Sequence, residues 1–197
     1  PLVFDDIQCG LGRTGSCLAS EDYGCRADYY LLSKSLGGGL VKIAAMLVDR
    51  SRYVADFGTL HASTFADDDY SCAVALRALD LLERDDGALV RGCAERGARL
   101  LGVLRTLQGM FPGQIAEIRG RGLMIGLELA PQNQAYSSLL RLASEQRLLG
   151  FLVARFLLAK ENIRVLPTLS SPMTLRFEPS AYLPQEEILR TRDALAR

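Results

Sequence analysis

Phe4-Asp5-Asp6-Ile7-Gln8-Cys9-Gly10-Leu11-Gly12-Arg13-Thr14-Gly15 joins an apolar run to two acids and then to a glycine-rich loop. Residues 2–7 read as a short buried strand that ends in acids, and the glycines as the turn beyond it. Working outward, residues 29–32 form the next strand candidate, followed by Lys34 and the run Gly37-Gly38-Gly39. Residues 43–48 read as a third strand, and residues 49–57 as a short helix capped by Asp49. Between residues 71 and 84, Ala73, Ala75, Leu76, Leu79 and Leu82 recur at helical spacing, and a second long apolar stripe runs over residues 87–107. Phe111-Pro112-Gly113 ends that pattern. Strands are expected over residues 115–129 around Gly120-Arg121-Gly122, a helix over 138–158, strands over 163–167 and 174–177, and a closing helix over 184–196. The last has a proline near its start and Glu186 and Glu187 in its first turn. The order predicts an α/β domain of parallel type over residues 1–95 and a smaller α+β domain over 96–197.

Composition narrows the function. Apolar residues make up 49% of the 197 positions and 23% are charged, enough to build ordinary cores. Lys plus Arg and Asp plus Glu balance at 23 each, so no charge excess favours nucleic acid or an acidic membrane surface. The longest apolar run, residues 148–158, is interrupted by Arg155 and is too short to span a bilayer. Five cysteines without a C-x-x-C pair, and His61 as the single histidine, argue against zinc and a disulfide scaffold, and for a reducing, cytoplasmic setting. Lysine is scarce: only Lys34, Lys42 and Lys160 occur. The chain opens directly on Pro1 and an apolar strand, which predicts that it is a piece of a longer protein.

Four features carry chemistry. Asp5 stands at the carboxyl end of a predicted buried strand, where a carboxylate needs a cation or good donors. A protonated pyridine nitrogen is one such partner; a loop-ordering or capping acid is the other reading. Lys34 lies between Ser33 and Ser35 just before three glycines. An amine that acts as a nucleophile must lose its proton, and adjacent glycines let backbone approach a bulky cofactor. The alternative is an exposed loop lysine, and Lys42 is the competing one. His61-Ala62-Ser63-Thr64-Phe65 puts hydroxyls ahead of a strong helix, as a phosphate seat or as simple N-caps. Arg176, alone in an apolar strand, suits bidentate capture of a carboxylate or an internal ion pair with Glu178.

Order and spacing make these features specific together. The strings FDDIQCGLGRTG, LLSKSLGGG, HASTF and RGRGLMIGLEL resemble the class III aminotransferases, the group of ornithine, acetylornithine and 4-aminobutyrate aminotransferases. The resemblance covers essentially the whole chain. It implies the C-terminal half of such an enzyme: the end of a fold type I, aspartate-aminotransferase-like large domain, then the small C-terminal domain. It also implies pyridoxal 5′-phosphate as cofactor, Lys34 as the Schiff-base lysine and proton carrier, and Asp5 on the pyridine nitrogen. Gln8 would lie near the phenolic oxygen, and Thr64, with Ser63, would reach the cofactor phosphate from the partner subunit of a homodimer with a shared active site. Arg176 would bind the carboxylate of an amino acid or 2-oxo acid. The implied reaction is transamination between an amino donor and an oxo acceptor. The alternatives are an aminomutase of the glutamate-semialdehyde type, against which Gln8 argues, and a catalytically incomplete piece that keeps the fold and dimerises.

The chain departs from the family pattern in three places. Asp6 replaces the usual Glu, Leu40-Val41-Lys42 replaces Pro-Ile-Gly, and Ala66-Asp67-Asp68-Asp69 follows HASTF. Three acids beside a phosphate seat would repel it, so they are expected to cap the helix or face solvent. In the family, the phosphate loop and the ring-stacking aromatic come from the N-terminal half.

Overall fold

A computed structural model describes residues 1–61 and 63–197; Ala62, within the HASTF motif, lies outside the described residues. The chain divides into two compact units, Pro1–Cys93 and Ala94–Arg197.

In the first unit, among the described residues, β1 (Val3–Asp5), β2 (Tyr29–Leu32) and β3 (Ala45–Val48) form a sheet in the order β1-β2-β3. β1 runs parallel to β2, with Asp5 opposite Leu31, while β3 is antiparallel to β2. The sheet is therefore mixed, not purely of parallel type. The connection over residues 33–44 holds only the 3-10 turn Lys34–Gly37 and no crossover helix, so β3 returns antiparallel. Within this chain Leu2 and Val3 are about half exposed, and among the described residues β1 pairs with β2 alone.

Asp49 does cap a helical turn, accepting from the Ser51 N–H at 3.0 Å, but only over Arg50–Arg52. The helix proper, α1, is Ala55–Leu60. Beyond it, α2 (Asp69–Met110) carries the two predicted helical patterns as one element broken at Arg84–Gly87. Asp85, Asp86 and Gly87 all adopt left-handed backbone, with φ of 54°, 56° and 73°. L-residues resist that geometry, and Arg91 stabilises it by donating to the Asp85 and Asp86 carbonyls. The core of this unit gathers Leu11, Leu32, Leu36 and Ala75.

In the second unit, β4 (Ile115–Arg121), β5 (Met124–Leu129), β6 (Leu166–Pro167) and β7 (Thr174–Phe177) form an antiparallel sheet in the order β4-β5-β7-β6. Alternation sends Ile118, Ile125, Leu127, Leu175 and Phe177 to one face, where Leu100, Leu104 and Leu107 of α2 meet them. α4 (Leu149–Glu161) contributes Ala154 and Leu157, and α5 (Gln185–Leu195) contributes Ile188 and Ala194. At the helix–sheet contact, Gly97 meets the backbone of Gly122 so closely that a Cβ at Gly97 would lie 2.1 Å from the Gly122 carbonyl.

The single helix expected over residues 138–158 is two, α3 (Ser138–Glu145) and α4. Arg147 is left-handed at φ 56°, and the N–H groups of Arg147 and Leu148 bond to the carbonyls of Ser144 and Ala143. These bonds close α3 as a left-handed helix stop. The strand expected over 163–167 shrinks to Leu166–Pro167, since proline offers no N–H and confines β6 to the sheet edge. Among the described residues, no helix is long and apolar enough to cross a membrane.

Candidate active site

β1 and β2 run parallel, so their carboxyl ends finish side by side, and Asp5 and Lys34 belong to those ends. Outside the carboxyl ends of parallel strands is where α/β sheets bind ligands. Asp5 keeps an exposed carboxylate that accepts the Ile7 N–H at 3.2 Å. Burial falls on the neighbouring acid instead. Asp6 is 1% exposed, accepts the Cys9 thiol at 3.0 Å, and has its second oxygen buried without a hydrogen-bond partner among the described residues. Within this chain, then, Asp5 at the end of β1 is exposed and Asp6, just past it, is the buried acid. Burial, the hydrogen bond to Asp6, and the Asp6 and Asp5 charges push the Cys9 thiol up to about 11.

The loop after the acids is built by its backbone. The Gly10 N–H bonds the Asp6 carbonyl at 3.0 Å, and a Cβ at Gly10 would lie 2.8 Å from that same oxygen. Leu11 N–H bonds the Cys17 carbonyl at 2.7 Å, which closes the loop. Gln8 is half-buried at its start.

Lys34 has left-handed backbone, with φ of 46°. It begins a single 3-10 turn, Lys34–Gly37, and is exposed. Buried Leu32 and Leu36 pin the chain on either side of it. The Ser33 hydroxyl fixes the loop by donating to the Ile43 carbonyl at 2.8 Å. A lysine held in this region costs of order 1–3 kcal/mol and persists only where its surroundings over-determine it, a condition that clusters at functional sites. Lys34 opens into a depression of about 460 Å³ lined also by Ser33, Val41, Lys42, Ile43 and Ala44. Lys42, the competing lysine, therefore lines the same depression as Lys34.

Ser63 and Thr64 lie on an exposed turn, where the Ser63 hydroxyl accepts the Phe65 N–H at 3.3 Å. They do not cap α2. Asp68 does, accepting the Ser71 N–H at 2.9 Å, and hydrogen bonds from Ser71 hold its carboxyl below the usual range. The hydroxyls are thus left unused by the helix start. Large apolar side chains surround this turn in the open: Leu60 is 84% exposed and Phe65 87%.

Arg176 belongs to the second unit, in the middle of β7, between Gly126 of β5 and Leu166 of β6. Its Nε pairs with Glu178 Oε2 at 3.2 Å. The ion pair expected as one of two readings is therefore formed. On the same sheet, Arg119 is held by Glu128 at 2.6 Å and Glu117 at 2.7 Å.

Residues 1–173 match the family model for class III aminotransferases, and the chain belongs to that family. It is 42% identical over 135 residues to an ornithine aminotransferase of Staphylococcus saprophyticus, covering 68% of this chain and 33% of the relative. It is 38% identical over 129 residues to an acetylornithine aminotransferase of a Nostoc species, covering 66% of this chain and 29% of the relative. The chain spans about a third of the length of these curated relatives. Among solved structures it resembles the ornithine aminotransferase of Toxoplasma gondii, described with pyridoxal phosphate at partial occupancy in its active site. The TM-score is 0.76 at 32% identity, over 98% of this chain and 41% of the other. An engineered thermostable omega transaminase matches with a TM-score of 0.81 at 26% identity, over 99% of this chain and 42% of the other. The fold is that of part of a pyridoxal-phosphate-dependent transaminase. Arg176 lies just beyond the stretch matched by the family model.

Proposed function

We propose that this chain is the lysine-bearing part of a pyridoxal-phosphate-dependent transaminase, which moves an amino group between an amino acid or amine and an oxo acceptor. Lys34 carries the reading. It is held in a strained backbone conformation just past the carboxyl end of β2, and Asp5 stands at the carboxyl end of the neighbouring parallel strand β1. Lys34 would hold the aldehyde end of a flat pyridine ring, and Asp5 would pair with its protonated nitrogen. Pyridoxal phosphate supplies an electron sink when bound.

The chain's own residues take the remaining roles. Lys34 Nζ anchors the cofactor covalently and carries the proton leaving the substrate α-carbon. Asp5 keeps the pyridine nitrogen protonated, and Gln8 hydrogen-bonds the phenolic oxygen. Ser63 and Thr64 serve the phosphate of a partner subunit in a homodimer with shared active sites. Their free position on an exposed turn and the bare Leu60 and Phe65 beside them support this, since large exposed apolar side chains mark interfaces. Arg176 takes a substrate carboxylate through its fork. Pro1–Cys93 corresponds to the end of the cofactor-binding large domain, and Ala94–Arg197 to the small domain. A cytoplasmic setting suits the five free thiols. Gln8, and the aminotransferase names of the relatives, favour transfer over the mutase reading.

The test uses the complete protein loaded with pyridoxal phosphate, reduced with borohydride and digested. A cofactor label on Lys34 is expected, and a label on Lys42 or Lys160 in an active preparation refutes the assignment. A panel of amines with 2-oxoglutarate or pyruvate then identifies donor and acceptor.

A further inference from the structure

Strand alternation gives the second unit's sheet one apolar face and one polar face. On the polar face the register sets Arg119, Gly126 and Arg176 in one row across β4, β5 and β7. Two of these are arginines, and their surroundings differ. Arg119 sits between Glu117 and Glu128, both within 2.7 Å, so its charge is matched twice. Arg176 meets one acid, at Nε, and no other partner among the described residues. Gly126, directly opposite, contributes no side chain that would cover the guanidinium.

Glu178 follows Arg176 by two residues, so both side chains leave the extended chain on the same side. Glu178 is 22% exposed and Arg176 37%, so the pair is partly shielded. Guanidinium donors lie in one plane, and a carboxylate at Nε fixes that plane while the paired Nη groups stay open. We infer that Glu178 is a positioning residue, which holds Arg176 by its Nε so that the Nη fork is presented to the carboxylate of the substrate. This rests on the assignment of Arg176 as the carboxylate-binding residue.

The test measures kcat and KM for a 2-oxo acid, and for an amine donor lacking a carboxylate, in the complete holoenzyme. Three variants are compared: Arg176→Ala, Glu178→Ala and Glu178→Gln. Glu178→Ala is expected to raise KM for the oxo acid about tenfold, the loss that follows when a bidentate clamp is no longer oriented. Its kcat and its KM for the carboxylate-free amine should stay near those of the parent. Glu178→Gln, which keeps the length and puts an amide oxygen in place of the carboxylate beside Nε, should restore most of the oxo-acid KM. If Arg176→Ala raises that KM but Glu178→Ala leaves it unchanged or lowers it, the positioning role is refuted and the arginine assignment survives. If Arg176→Ala itself leaves KM unchanged, the assignment beneath the inference is refuted. Equal losses for both substrates, or no rescue by Gln, refute the inference in favour of a purely structural ion pair.

Discussion

Gly97 and Gly102 occupy the same stretch of α2, yet alanine should act on them with opposite sign. Replacing a mid-helix glycine by alanine ordinarily stabilises by roughly 0.5–1 kcal/mol, because less backbone entropy is lost on folding. At Gly102 a Cβ would meet nothing within 4 Å, so Gly102→Ala should realise that gain. At Gly97 the new atom would lie 2.1 Å from both the carbonyl carbon and oxygen of Gly122, and 2.5 Å from its Cα. These are backbone atoms of the tight link between β4 and β5, so no rotamer change relieves the overlap. Helix and sheet must separate by roughly an ångström, at the upper end of the 1–3 kcal/mol typical of overpacking, about 3 kcal/mol. Net of the propensity gain, Gly97→Ala should lose about 2 kcal/mol, and the two variants should differ by about 3 kcal/mol. Thermal unfolding of the complete protein should show Gly97→Ala lowered by about 4–8 °C and Gly102→Ala raised by about 2–4 °C. Amide exchange in β4 and β5 should accelerate only in Gly97→Ala. If both variants shift in the same direction, or Gly97→Ala is neutral, the close approach to Gly122 is refuted.

Other perturbations test other parts of the molecule. Leu157, 1% exposed in the second unit's core, should lose about 2–5 kcal/mol on truncation to alanine, measured by urea unfolding. Cys9, with its thiol at about 11, should remain protonated and react slowly with iodoacetamide at pH 8, reaching thiolate reactivity only above pH 10. Because the folded state holds that proton more tightly than the unfolded chain, Cys9 should make stability fall as pH rises from about 9 to about 11; Cys9→Ser should reduce that slope. Asp5→Asn should cost turnover roughly ten- to a hundredfold, the worth of one hydrogen bond to a charged group, with the Lys34 label unaffected. Asp68→Ala should fray the first turn of α2, seen as faster amide exchange at Ser71 and Cys72.

Much of this was legible in the residues. Periodicity located α2, β4, β5, β7 and α5 because each buries a clear stripe or alternates across a half-buried sheet. The break at Arg84–Gly87 fell between the two helical patterns read from the sequence. The one at Arg147 was harder to see, because nothing in an arginine announces left-handed backbone. The site shows the same division. Lys34, with Asp5 upstream and the hydroxyl motif downstream, was singled out by resemblance to the family pattern. Which of the two adjacent acids is buried in this chain was not legible, because it depends on how a three-residue strand is turned. The pairing of Arg176 with Glu178 could be posed from sequence as one of two readings, and only geometry shows that it leaves the fork open.

The left-handed backbone at Lys34 has a further consequence. If stability alone selected the residue there, glycine or asparagine would serve better, since both adopt φ of 46° with less strain. Lys34→Gly should therefore melt higher than Lys34→Ala although neither carries the amine. In a lineage that has lost the chemistry, position 34 is where glycine or asparagine should be accepted first.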